Sequence, residues 1–540
     1  MTIVKKVAIL DGYLDEPSCL GVPPYISPHV RYTFGGYVKA GIKKEDICYL
    51  TVDQLRQNKN LEKKLQQVDM LTVISGATVP GKYLGGKPIT LKEIEYYAQL
   101  PKQKSVLSGP IVNVDIKFEN VDYVAWEIPG TLEYKLITGE DFTEICTPQE
   151  IVDSLAKVGV DATTLHPNYP EVICEIETFR GCPRQTHCSF CSERFKKITY
   201  QRSVEGIIDE IKEMYKKGNR YFRLGAQTDL LLFGATKHQD KLIPNPDTIR
   251  KLYSGIRQVA PNLKVLHMDN INPATVADFP QQSKQALKVI AQFNTAGDTA
   301  AFGLESADEK VLEANNIGTN VSKTFEAIKI MNEICSFREG GIPKLLPGVN
   351  FLHGLLGESP KTLKKNYEFL QKIYDENLML RRINVRQVNN LNSYNNSRIN
   401  QYKFKEYKEK INEEINKPML QRVFPVGTLL QEIIIEKVQG SLAFGRQLGS
   451  YPILIGVFGK FGVGEKVDVK VVNYGPRSLT GVIAGLNINE ASVEQLQSLP
   501  GIGKNRATKI FISEKITCKA DLAEILPDYD VNQLEGLITY

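Results

Sequence analysis

The feature that most constrains this fold is a regular alternation of short apolar runs with amphipathic stretches. In the first 165 residues the apolar runs have the character of buried parallel strands, because each ends in glycine or turn residues. These runs read KVAILDGY (6–13), DMLTVISGAT (69–78) and KSVLSGPIV (104–112). Amphipathic stretches at 53–67 and 90–99 would supply crossover helices. The alternation predicts a Rossmann-like, doubly wound α/β domain over residues 1–165.

A second alternation of the same kind runs over residues 166–400. Its six strand signals read VICEIETFRGC, YFRLGAQTDLLLFG, LKVLHMDNIN, TAAFGLESAD, GVNFLHGLLGE and RRINVRQV. Strands separated by helices in this way predict a partial or full β/α barrel. The reactive groups of such barrels gather at the carboxyl ends of the strands. Cys182 follows the first strand, so its loop is the expected place for chemistry.

The pattern changes twice after the predicted barrel. Residues 401–422 are highly charged with helical spacing and predict a bridging helix. Residues 423–483 are rich in glycine and β-branched residues, which predicts a small antiparallel β-barrel of the OB type. Residues 484–540 return to helical spacing. The predicted fold class is therefore multidomain α/β with a small β-barrel and a helical C-terminal module.

Composition places the chain among ordinary globular proteins. A length of 540 residues favours several domains, and 42% hydrophobic with 24% charged residues supplies material for their cores. The net charge of +5 neither requires nor excludes a nucleic-acid partner. No run of about 18 apolar residues occurs, which predicts a cytoplasmic protein without a membrane partner.

Three of the nine cysteines are clustered in the stretch ETFRGCPRQTHCSFCSERF (177–195). Cys182, Cys188 and Cys191 have the spacing C-x5-C-x2-C, whereas the others occur singly, unlike a secreted disulfide framework. A zinc site would need a fourth ligand, for which His187 is available, but zinc sites usually pair two C-x2-C units. Three thiolates on a [4Fe–4S] cluster leave one iron open to a substrate-like ligand. A zinc site, a redox pair and such a cluster are the candidates.

The cysteine loop resembles that of the radical S-adenosylmethionine (SAM) enzymes. In that family the open iron chelates the amino and carboxylate groups of SAM, and an electron from the cluster cleaves SAM to a 5′-deoxyadenosyl radical. The resemblance implies that Cys182, Cys188 and Cys191 hold a [4Fe–4S] cluster and that Phe190 packs on the adenine. The commonest family spacing is C-x3-C-x2-C, and this chain has two more residues in the first gap.

Further motifs extend the resemblance, in the family's order, over residues 170–390. The segment LGAQTDLLLFG (224–234) lies where the family holds the amino group of SAM. FGLESAD (302–308) resembles the fourth-strand motif, and GLLGES (354–359) resembles the glycine motif beside the adenine. The further SAM-binding residues that the resemblance implies are Gly225, Gln227, Asp229, Glu305, Ser306, Gly354 and, at the end of the sixth strand, Arg386.

The N-terminal stretch DGYLDEPSCLGVPPYISPHVRYTFGGYVKAG (11–41) resembles the start of the cobalamin-binding-like domain that precedes many radical SAM barrels. It lacks a D-x-H-x-x-G motif, so cobalamin binding and a domain that only covers the barrel mouth both stay open. Methylthiotransferases hold a second cluster on three N-terminal cysteines; Cys19, Cys48 and Cys146 are available by number, but their contexts do not match. We interpret the following single cysteines as buried small hydrophobic residues: Cys48, Cys174, Cys335 and Cys518.

The C-terminal segment LPGIGKNRATKI (499–510) resembles a helix-hairpin-helix, a module that binds the nucleic-acid backbone. Gly501 and Gly503 permit the tight turn, and the amides that begin the next helix can hold a phosphate oxygen. The same fold also serves protein contacts, which is the alternative reading. Positive charge beside the turn comes from Lys504, Arg506 and Lys509.

The preceding β-barrel resembles a TRAM domain, with which many RNA-modifying enzymes grip RNA. Its candidate phosphate and stacking contacts are Arg446, Lys460, Phe461, Lys466 and Arg477. The whole architecture resembles an archaeal-type family of radical SAM enzymes. The resemblance implies modification of a nucleic acid, tRNA or rRNA more than DNA, by methylation, methylthiolation or similar chemistry, with ferredoxin or flavodoxin as electron donor. The alternatives are a small-molecule or protein substrate, and a non-catalytic iron–sulfur protein that binds nucleic acid.

Overall fold

The computed structural model describes residues 4–16, 19–77, 85–144, 146–196, 199–388, 394 and 399–540. Within these residues, no helix is long and apolar enough to cross a membrane. Three β structures follow one another along the chain: an open parallel sheet, a partial barrel of parallel strands and a small closed barrel. The prediction of a multidomain α/β chain with a small β-barrel near its C-terminus is therefore confirmed.

The N-terminal sheet is open and parallel. The strands of this part of the chain are β1 (Val7–Asp11), β2 (Asp15–Glu16), β3 (Cys19–Leu20), β4 (Tyr25–Ile26), β5 (Ile47–Thr51), β6 (Met70–Ile74), β7 (Lys104–Ser108) and β8 (Tyr123–Val124). The sheet has the order β5-β1-β6-β7-β8, which is the flavodoxin-like order of doubly wound folds. The three apolar runs predicted as strands form β1, β6 and β7, and their last residues turn into loops at the carboxyl edge.

The helices of this part are α1 (Pro28–Lys39), α2 (Val52–Gln57), α3 (Glu62–Gln67), α4 (Leu91–Ala98), α5 (Thr131–Thr138) and α6 (Pro148–Val158). Helix α1 is buried over nearly its whole length because it contacts strands of both the N-terminal sheet and the barrel. Its Arg31 donates to Glu210 Oε1 at 2.6 Å and to the carbonyl oxygen of Glu175 at 2.5 Å. A buried ion pair therefore joins the first α/β part to the second.

The strands of the second part are β9 (Ile173–Glu177), β10 (Phe179–Arg180), β11 (Tyr200–Gln201), β12 (Tyr221–Gly225), β13 (Thr236–His238), β14 (Lys241–Ile243), β15 (Val265–Met268), β16 (Asp298–Glu305), β17 (Arg338–Glu339), β18 (Ile342–Pro343), β19 (Leu345–His353) and β20 (Arg382–Gln387). The helices that cover them are α7 (Val204–Lys216), α8 (Pro246–Val259), α9 (Pro273–Asp278), α10 (Pro280–Phe293), α11 (Glu309–Ala314), α12 (Val321–Cys335) and α13 (Pro360–Asp375). The strand–helix alternation predicted from the sequence is thus present.

The second part is a partial barrel with one open side. Its two parallel sheets, β4-β9-β12-β15 and β16-β19-β20, are joined by a bridge between Asn270 and Ala301. Strand β4 belongs to the first 165 residues but pairs in parallel with β9, so the two predicted domains share a sheet. At the other side, β4 and β20 do not pair within the described residues. We call the gap between Tyr25–Ile26 and Arg382–Gln387 the seam.

A long helical segment leads from the partial barrel to the closed one. It consists of α14 (Gln401–Ile411), a π-helical turn (Asn412–Asn416) and α15 (Lys417–Val423), as predicted for a bridging helix. The closed barrel contains β21 (Leu429–Gln439), β22 (Leu442–Arg446), β23 (Leu454–Phe458), β24 (Lys466–Tyr474) and β25 (Ser478–Ile483). Its order is β21-β22-β23-β25-β24, and the β23–β25 pair is parallel, which departs from the wholly antiparallel prediction.

The chain ends in a small helical module. Its elements are β26 (Leu486–Asn487), α16 (Val493–Ser498), α17 (Lys504–Ile512), α18 (Lys519–Ile525) and β27 (Ile538–Thr539). The module has its own apolar core, to which Val472 and Val482 of the closed barrel contribute. The two C-terminal modules therefore pack against each other.

Candidate active site

The cysteine loop follows β9 at the carboxyl edge of the partial barrel. Its three predicted ligands, Cys182, Cys188 and Cys191, are half-buried. The loop is held against the segment after α11, because Ser189 bonds to Asn315 twice. The Ser189 N–H donates to the Asn315 carbonyl oxygen at 3.0 Å, and its hydroxyl donates to the side-chain oxygen at 3.0 Å. Asn315 thereby fixes the middle of the loop.

The surroundings of the three sulfurs fit thiolate ligands. Burial raises the pKa of each thiol, and neighbouring thiolates raise it further at Cys182 and Cys191. Each sulfur also accepts a backbone N–H that favours the thiolate: from Arg184 at Cys182, from Gly318 at Cys188 and from Glu193 at Cys191. The Arg184 guanidinium adds a donor 3.3 Å from the Cys188 sulfur. Hydrogen bonds to sulfur tune iron–sulfur clusters, so the loop fits three ligands of one.

A mononuclear zinc site, the alternative weighed from the sequence, does not fit. Among the residues that the structure describes, no three Cys, His, Asp or Glu side chains form a group that could hold a metal ion. The Nε2 of His187, the proposed fourth ligand, lies 3.4 Å from the carbonyl oxygen of Cys182, so this ring faces the loop backbone. A four-iron cluster binds each cysteine at a different iron, so its thiolates need not converge on one point.

Phe190 and the glycine loop after β19 form one apolar wall beside the cysteines. Phe190 packs in a cluster with Leu355, and its ring meets that of Tyr394 edge-on, with 6.4 Å between the centroids. Gly354 has a φ of +90°, where a side chain is strained, and a Cβ there would lie 2.8 Å from Ile399. The structure therefore brings together the two positions that the resemblance assigns to the adenine.

Two of the polar candidates after β12 have roles inside the protein. A Cβ on Gly225 would collide with the carboxylate of Glu175, so glycine is needed there for packing. Asp229, expected to contact SAM, uses its carboxylate in the fold instead. It accepts from the Leu231 N–H at 3.1 Å and from the Thr275 hydroxyl at 2.6 Å. This corrects the expectation for Asp229.

The third candidate, Gln227, has an unused acceptor. Its side chain is buried, and its amide nitrogen donates to the Leu224 carbonyl oxygen at 3.0 Å. Its Oε1 has no hydrogen-bond partner among the described residues. A buried acceptor without a donor costs about 1–3 kcal/mol, which a ligand N–H would remove. Gln227 is therefore the residue of this segment that fits an ammonium group.

The end of β16 carries the most strained of the predicted ligand-binding residues. Glu305 has a φ of +63°, a left-handed conformation that is uncommon outside glycine and is found often at functional sites. Burial raises the pKa of its carboxyl to about 8, although the positive charge of Arg386 lowers this pKa. Ser306, expected beside it at the ligand, is buried and accepts the Asp308 N–H at 3.1 Å. Ser306 therefore supports the loop backbone, which corrects the expectation.

A buried ion network that sequence analysis missed occupies the middle of the barrel. Arg223 of β12 donates to Glu175 Oε1 at 2.6 Å and pairs with Asp269, and all three side chains are buried. Burial raises the pKa of Glu175 to about 7, although the positive charge of Arg223 lowers this pKa. A signal was available, because a charged residue within an apolar parallel strand has to find a buried partner.

The closed barrel reaches this network through the loop between β22 and β23. The Ser450 N–H donates to His267 Nδ1 at 2.8 Å, and the Tyr451 hydroxyl donates to Asp269 Oδ1 at 2.7 Å. A leucine of the same loop packs against the first residues of β9, β12 and β15. We call residues 447–453 the plug, because they close the amino end of the partial barrel and bring Tyr451 to its centre. No motif in the sequence indicated this contact.

The crevice between β1 and β6, where the strand order reverses, is the usual ligand position in sheets of this order. The loops after these strands pack closely there, and a Cβ on Gly76 would lie 2.6 Å from the Asp15 nitrogen. Residues 78–84, which follow β6 at this crevice, lie outside the described residues, and cobalamin binding stays a prediction.

The single cysteines lie in separate places. Those available for a second cluster differ in exposure: Cys19 is buried, Cys48 half-buried and Cys146 exposed. These three cysteines therefore share no common environment, and a second cluster gains no support from their exposure. Cys174 and Cys335 are buried as interpreted, whereas Cys518 is exposed. The interpretation of Cys518 was wrong because this residue caps the start of α18.

The turn between α16 and α17 lies in the segment that resembles a helix-hairpin-helix, and that assignment stays a prediction. Gly501 adopts a φ of +65°, which favours glycine. Arg506 donates to the Gly501 carbonyl oxygen at 2.8 Å and pairs with Asp528 at 2.9 Å. Arg506 therefore shapes the turn, whereas we had expected it to face a phosphate group.

The other residues of this turn are open to solvent. Gly503 has open space where a side chain would lie, directly before the first turn of α17. Lys504 and Lys509 are exposed, and neither forms a salt bridge with another described residue. The surface of this module thus presents the start of α17 together with two exposed cations, which lie five residues apart and point to different sides of the helix.

The residues expected to grip nucleic acid on the closed barrel divide into two groups. Arg446 pairs with Glu436 at 2.9 Å, Lys466 pairs with Glu171 at 2.6 Å, and Phe461 packs against the core. These three are engaged within the protein. The exposed members are Lys460 and Arg477.

Comparison with known proteins supports the assignment of the cysteine loop. Residues 176–370 match the model of the Radical SAM superfamily, a span that includes the three cysteines, the segment after β12, and Glu305. A protein of Archaeoglobus fulgidus is 36% identical over 542 residues, covering 96% of this chain and 97% of its own.

Two further proteins are more distant. The ribosomal protein uS12 methylthiotransferase RimO of Thermotoga sp. is 24% identical over 249 residues, covering 43% of this chain and 52% of its own. The solved structure of the radical SAM methyltransferase TsrM from Kitasatospora setae, with cobalamin and a [4Fe–4S] cluster bound, has a TM-score of 0.49 at 13% identity. That comparison covers 71% of this chain and 72% of TsrM. From the superfamily match, we conclude that residues 176–370 of this chain form a Radical SAM superfamily domain, and the enzymes of that superfamily use a [4Fe–4S] cluster and SAM.

Proposed function

We propose that this enzyme modifies a nucleotide of RNA, with tRNA or rRNA as the substrate, by methylation, methylthiolation or a similar transfer. The observation that carries the proposal is the exposed turn before α17, where the helix begins at the exposed Lys504 and carries the exposed Lys509 further along. Such a surface suits the phosphate backbone, because amides at a helix start and nearby ammonium groups both bind phosphate oxygens.

A protein substrate is the second candidate, and the similarity to RimO favours it. The name of that relative states that it acts on a ribosomal protein as a methylthiotransferase. The similarity supports methylthio transfer as a reaction class but says nothing of the two modules at the C-terminus of this chain. The RNA proposal and the protein alternative therefore differ in whether those modules touch the substrate.

The residues of the barrel mouth suit the binding of SAM. When bound, the cluster and SAM supply a radical that abstracts hydrogen from the substrate. Phe190 and Gly354 provide an apolar wall for the adenine, and Gln227 Oε1 offers an acceptor to the amino group. Glu305 offers a carboxylate to the positive end of SAM. These roles are part of the proposal.

The Glu305 role predicts a pH dependence of SAM binding. The charged groups that face this carboxyl are Arg386 and Cys188. Because burial raises its pKa to about 8, the carboxylate fraction rises from pH 7 to pH 9. The affinity for cationic SAM should therefore rise about tenfold over this range and level off above it. Equilibrium dialysis of SAM with the reconstituted enzyme, repeated across this pH range, measures the affinity.

Glu305→Gln should bind SAM with the low affinity found at pH 7 and show no rise with pH. Glu313→Gln is the matched control, because Glu313 is exposed on α11, and it should keep the wild-type profile. A rise of unchanged size in Glu305→Gln would contradict the proposed role.

The function is tested by mass spectrometry of nucleosides from the tRNA and rRNA of a deletion strain beside its parent. We expect one modified nucleoside to be missing, and its mass identifies the transferred group. Re-expression of the wild-type chain should restore it. An unchanged RNA profile would contradict the RNA proposal and favour the protein substrate.

The C-terminal module should contribute salt-dependent affinity for RNA. Each phosphate contact to a single strand contributes about 0.7 to the slope of log K against log salt concentration. Lys504→Gln combined with Lys509→Gln should therefore lower the slope by about 1.4. The matched control is Lys515→Gln with Lys519→Gln in the same module, which removes the same charge. Equal slopes in both double variants would contradict this surface as the contact.

A further inference from the structure

The seam of the partial barrel contains a large cavity. It has a volume of about 670 Å³, which lies within the range of small-ligand sites. Strand β20 forms its floor, and its walls come from the N-terminal segment around β4, the bridging helix and two loops of the closed barrel. The cavity therefore lies where three parts of the chain meet, at the open side of the barrel.

One wall of the cavity is cationic, although Asp15 also lines the cavity and Arg386 lies near the Glu305 carboxyl. Its members are Arg382, Arg386, Lys408 and Arg477. None of the four forms a salt bridge with another described residue. Burial lowers the pKa of Arg382 to about 10, and the charges of Arg386 and Arg477 lower it further. The pKa values of Lys408 and Arg477 are lowered in the same way, first by burial and then by neighbouring arginines.

A second part of the lining is apolar and aromatic, and its Tyr451 ring lies 4.0 Å from the Arg382 guanidinium. It consists of Pro23, Pro24 and Tyr25 beside the seam and of Tyr451 and Pro452 of the plug. The Tyr25 hydroxyl donates to a plug carbonyl oxygen at 2.6 Å, so the two parts of this wall are fixed to each other. A planar ring can lie against such a wall, since bases stack on aromatic and apolar side chains.

The cavity is adjacent to the candidate active site. Arg386, at its upper end, is close enough to Glu305 to lower the pKa of that carboxyl. Glu305 in turn raises the pKa of the Cys188 thiol. A ligand on the cationic wall would thus lie beside the residues at the barrel mouth.

We infer that the seam cavity binds a phosphate-bearing nucleotide of the substrate, with the phosphate on the four cations and the base against the apolar wall. This inference rests on the proposed function and names the place where the nucleotide to be modified is held. Enzymes that act on a base commonly turn it out of its strand into a pocket, and this cavity has the size and the two unlike walls to receive one. A phosphate would also reduce the mutual repulsion of the cations, since they outnumber the carboxylates of the cavity lining.

The test uses the full-length enzyme with Lys408→Gln and Arg477→Gln combined. Inorganic pyrophosphate is the first probe, measured by calorimetry, and a short single-stranded RNA is the second. Losing two charged hydrogen bonds should weaken pyrophosphate binding more than about tenfold. The matched control is Lys403→Gln with Arg250→Gln, two exposed cations outside the cavity. It should bind pyrophosphate like the wild type.

The melting temperature separates a binding role from a structural one. Because the cations repel one another, the cavity variant should melt no lower than the wild type. Unchanged pyrophosphate affinity in the cavity variant would overturn the inference whatever the RNA results are. Weakened pyrophosphate binding together with an unchanged nucleoside profile would support the phosphate site but overturn RNA as its source. A free phosphorylated compound would then be the substrate class.

Discussion

Cys188→Ala should lose its iron and its ability to cleave SAM. With one of three ligands missing, the cluster has no third thiolate, and the loop keeps only two sulfurs. Even changes in residues behind a metal ligand cost about 10–100-fold in activity, so loss of the ligand itself should exceed that. The measurement is the amount of 5′-deoxyadenosine formed from SAM and dithionite under anaerobic conditions, together with iron content and the visible spectrum.

Cys146→Ser is the matched control for this result. Cys146 is exposed and lies outside the loop, so the variant should retain iron, spectrum and SAM cleavage. Cys182→Ala and Cys191→Ala should behave like Cys188→Ala. If Cys188→Ala kept both its cluster and its SAM cleavage, the assignment of the three ligands would fail.

Arg223→Met should destabilise the protein strongly. The variant leaves the carboxylates of Glu175 and Asp269 buried without their cation. Breaking a buried ion pair by removing one partner typically costs about 3–5 kcal/mol. We expect a lower midpoint of denaturant unfolding, and faster proteolysis of the plug because its Ser450 loses the Arg223 bond at 3.0 Å.

Lys264→Met is the control for the buried pair. Lys264 also links the partial barrel to the closed barrel, through Glu432, but both side chains are about half exposed. Exposed pairs contribute about 0–1 kcal/mol, so this variant should unfold close to the wild type. Equal effects of the two substitutions would show that the Arg223 network does not hold the plug.

The plug gives the closed barrel a structural role inside the partial barrel. From the sequence, the barrel was a candidate RNA-binding module attached behind the catalytic part. In the structure its Tyr451 bonds to Asp269 in the middle of the partial barrel, and several of its predicted RNA contacts are ion-paired within the protein. The module therefore helps to build the interior of the partial barrel, whether or not it also binds substrate.

Sequence patterns predicted those elements that depend on local spacing. The cysteine loop, the six barrel strands and the glycine turn at Gly501 follow from neighbours within a few residues. Predictions for individual ligand contacts were less accurate. Asp229 and Ser306 lie in recognisable motifs, but each bonds to nearby backbone, and a motif does not reveal which hydrogen-bond partner a polar side chain will take.

The sequence by itself determined the order of folds and the position of the cluster ligands, because strand periodicity and cysteine spacing are local properties of the chain. The tertiary structure alone decided how distant segments share a site. Tyr25 and Ile26 of β4 pair with Ile173 and Cys174 of β9, each 148 residues further along the chain. The seam cavity likewise draws its cations from β20, the bridging helix and the closed barrel. Such contacts depend on which surfaces bury together, and that is set by packing over the whole chain.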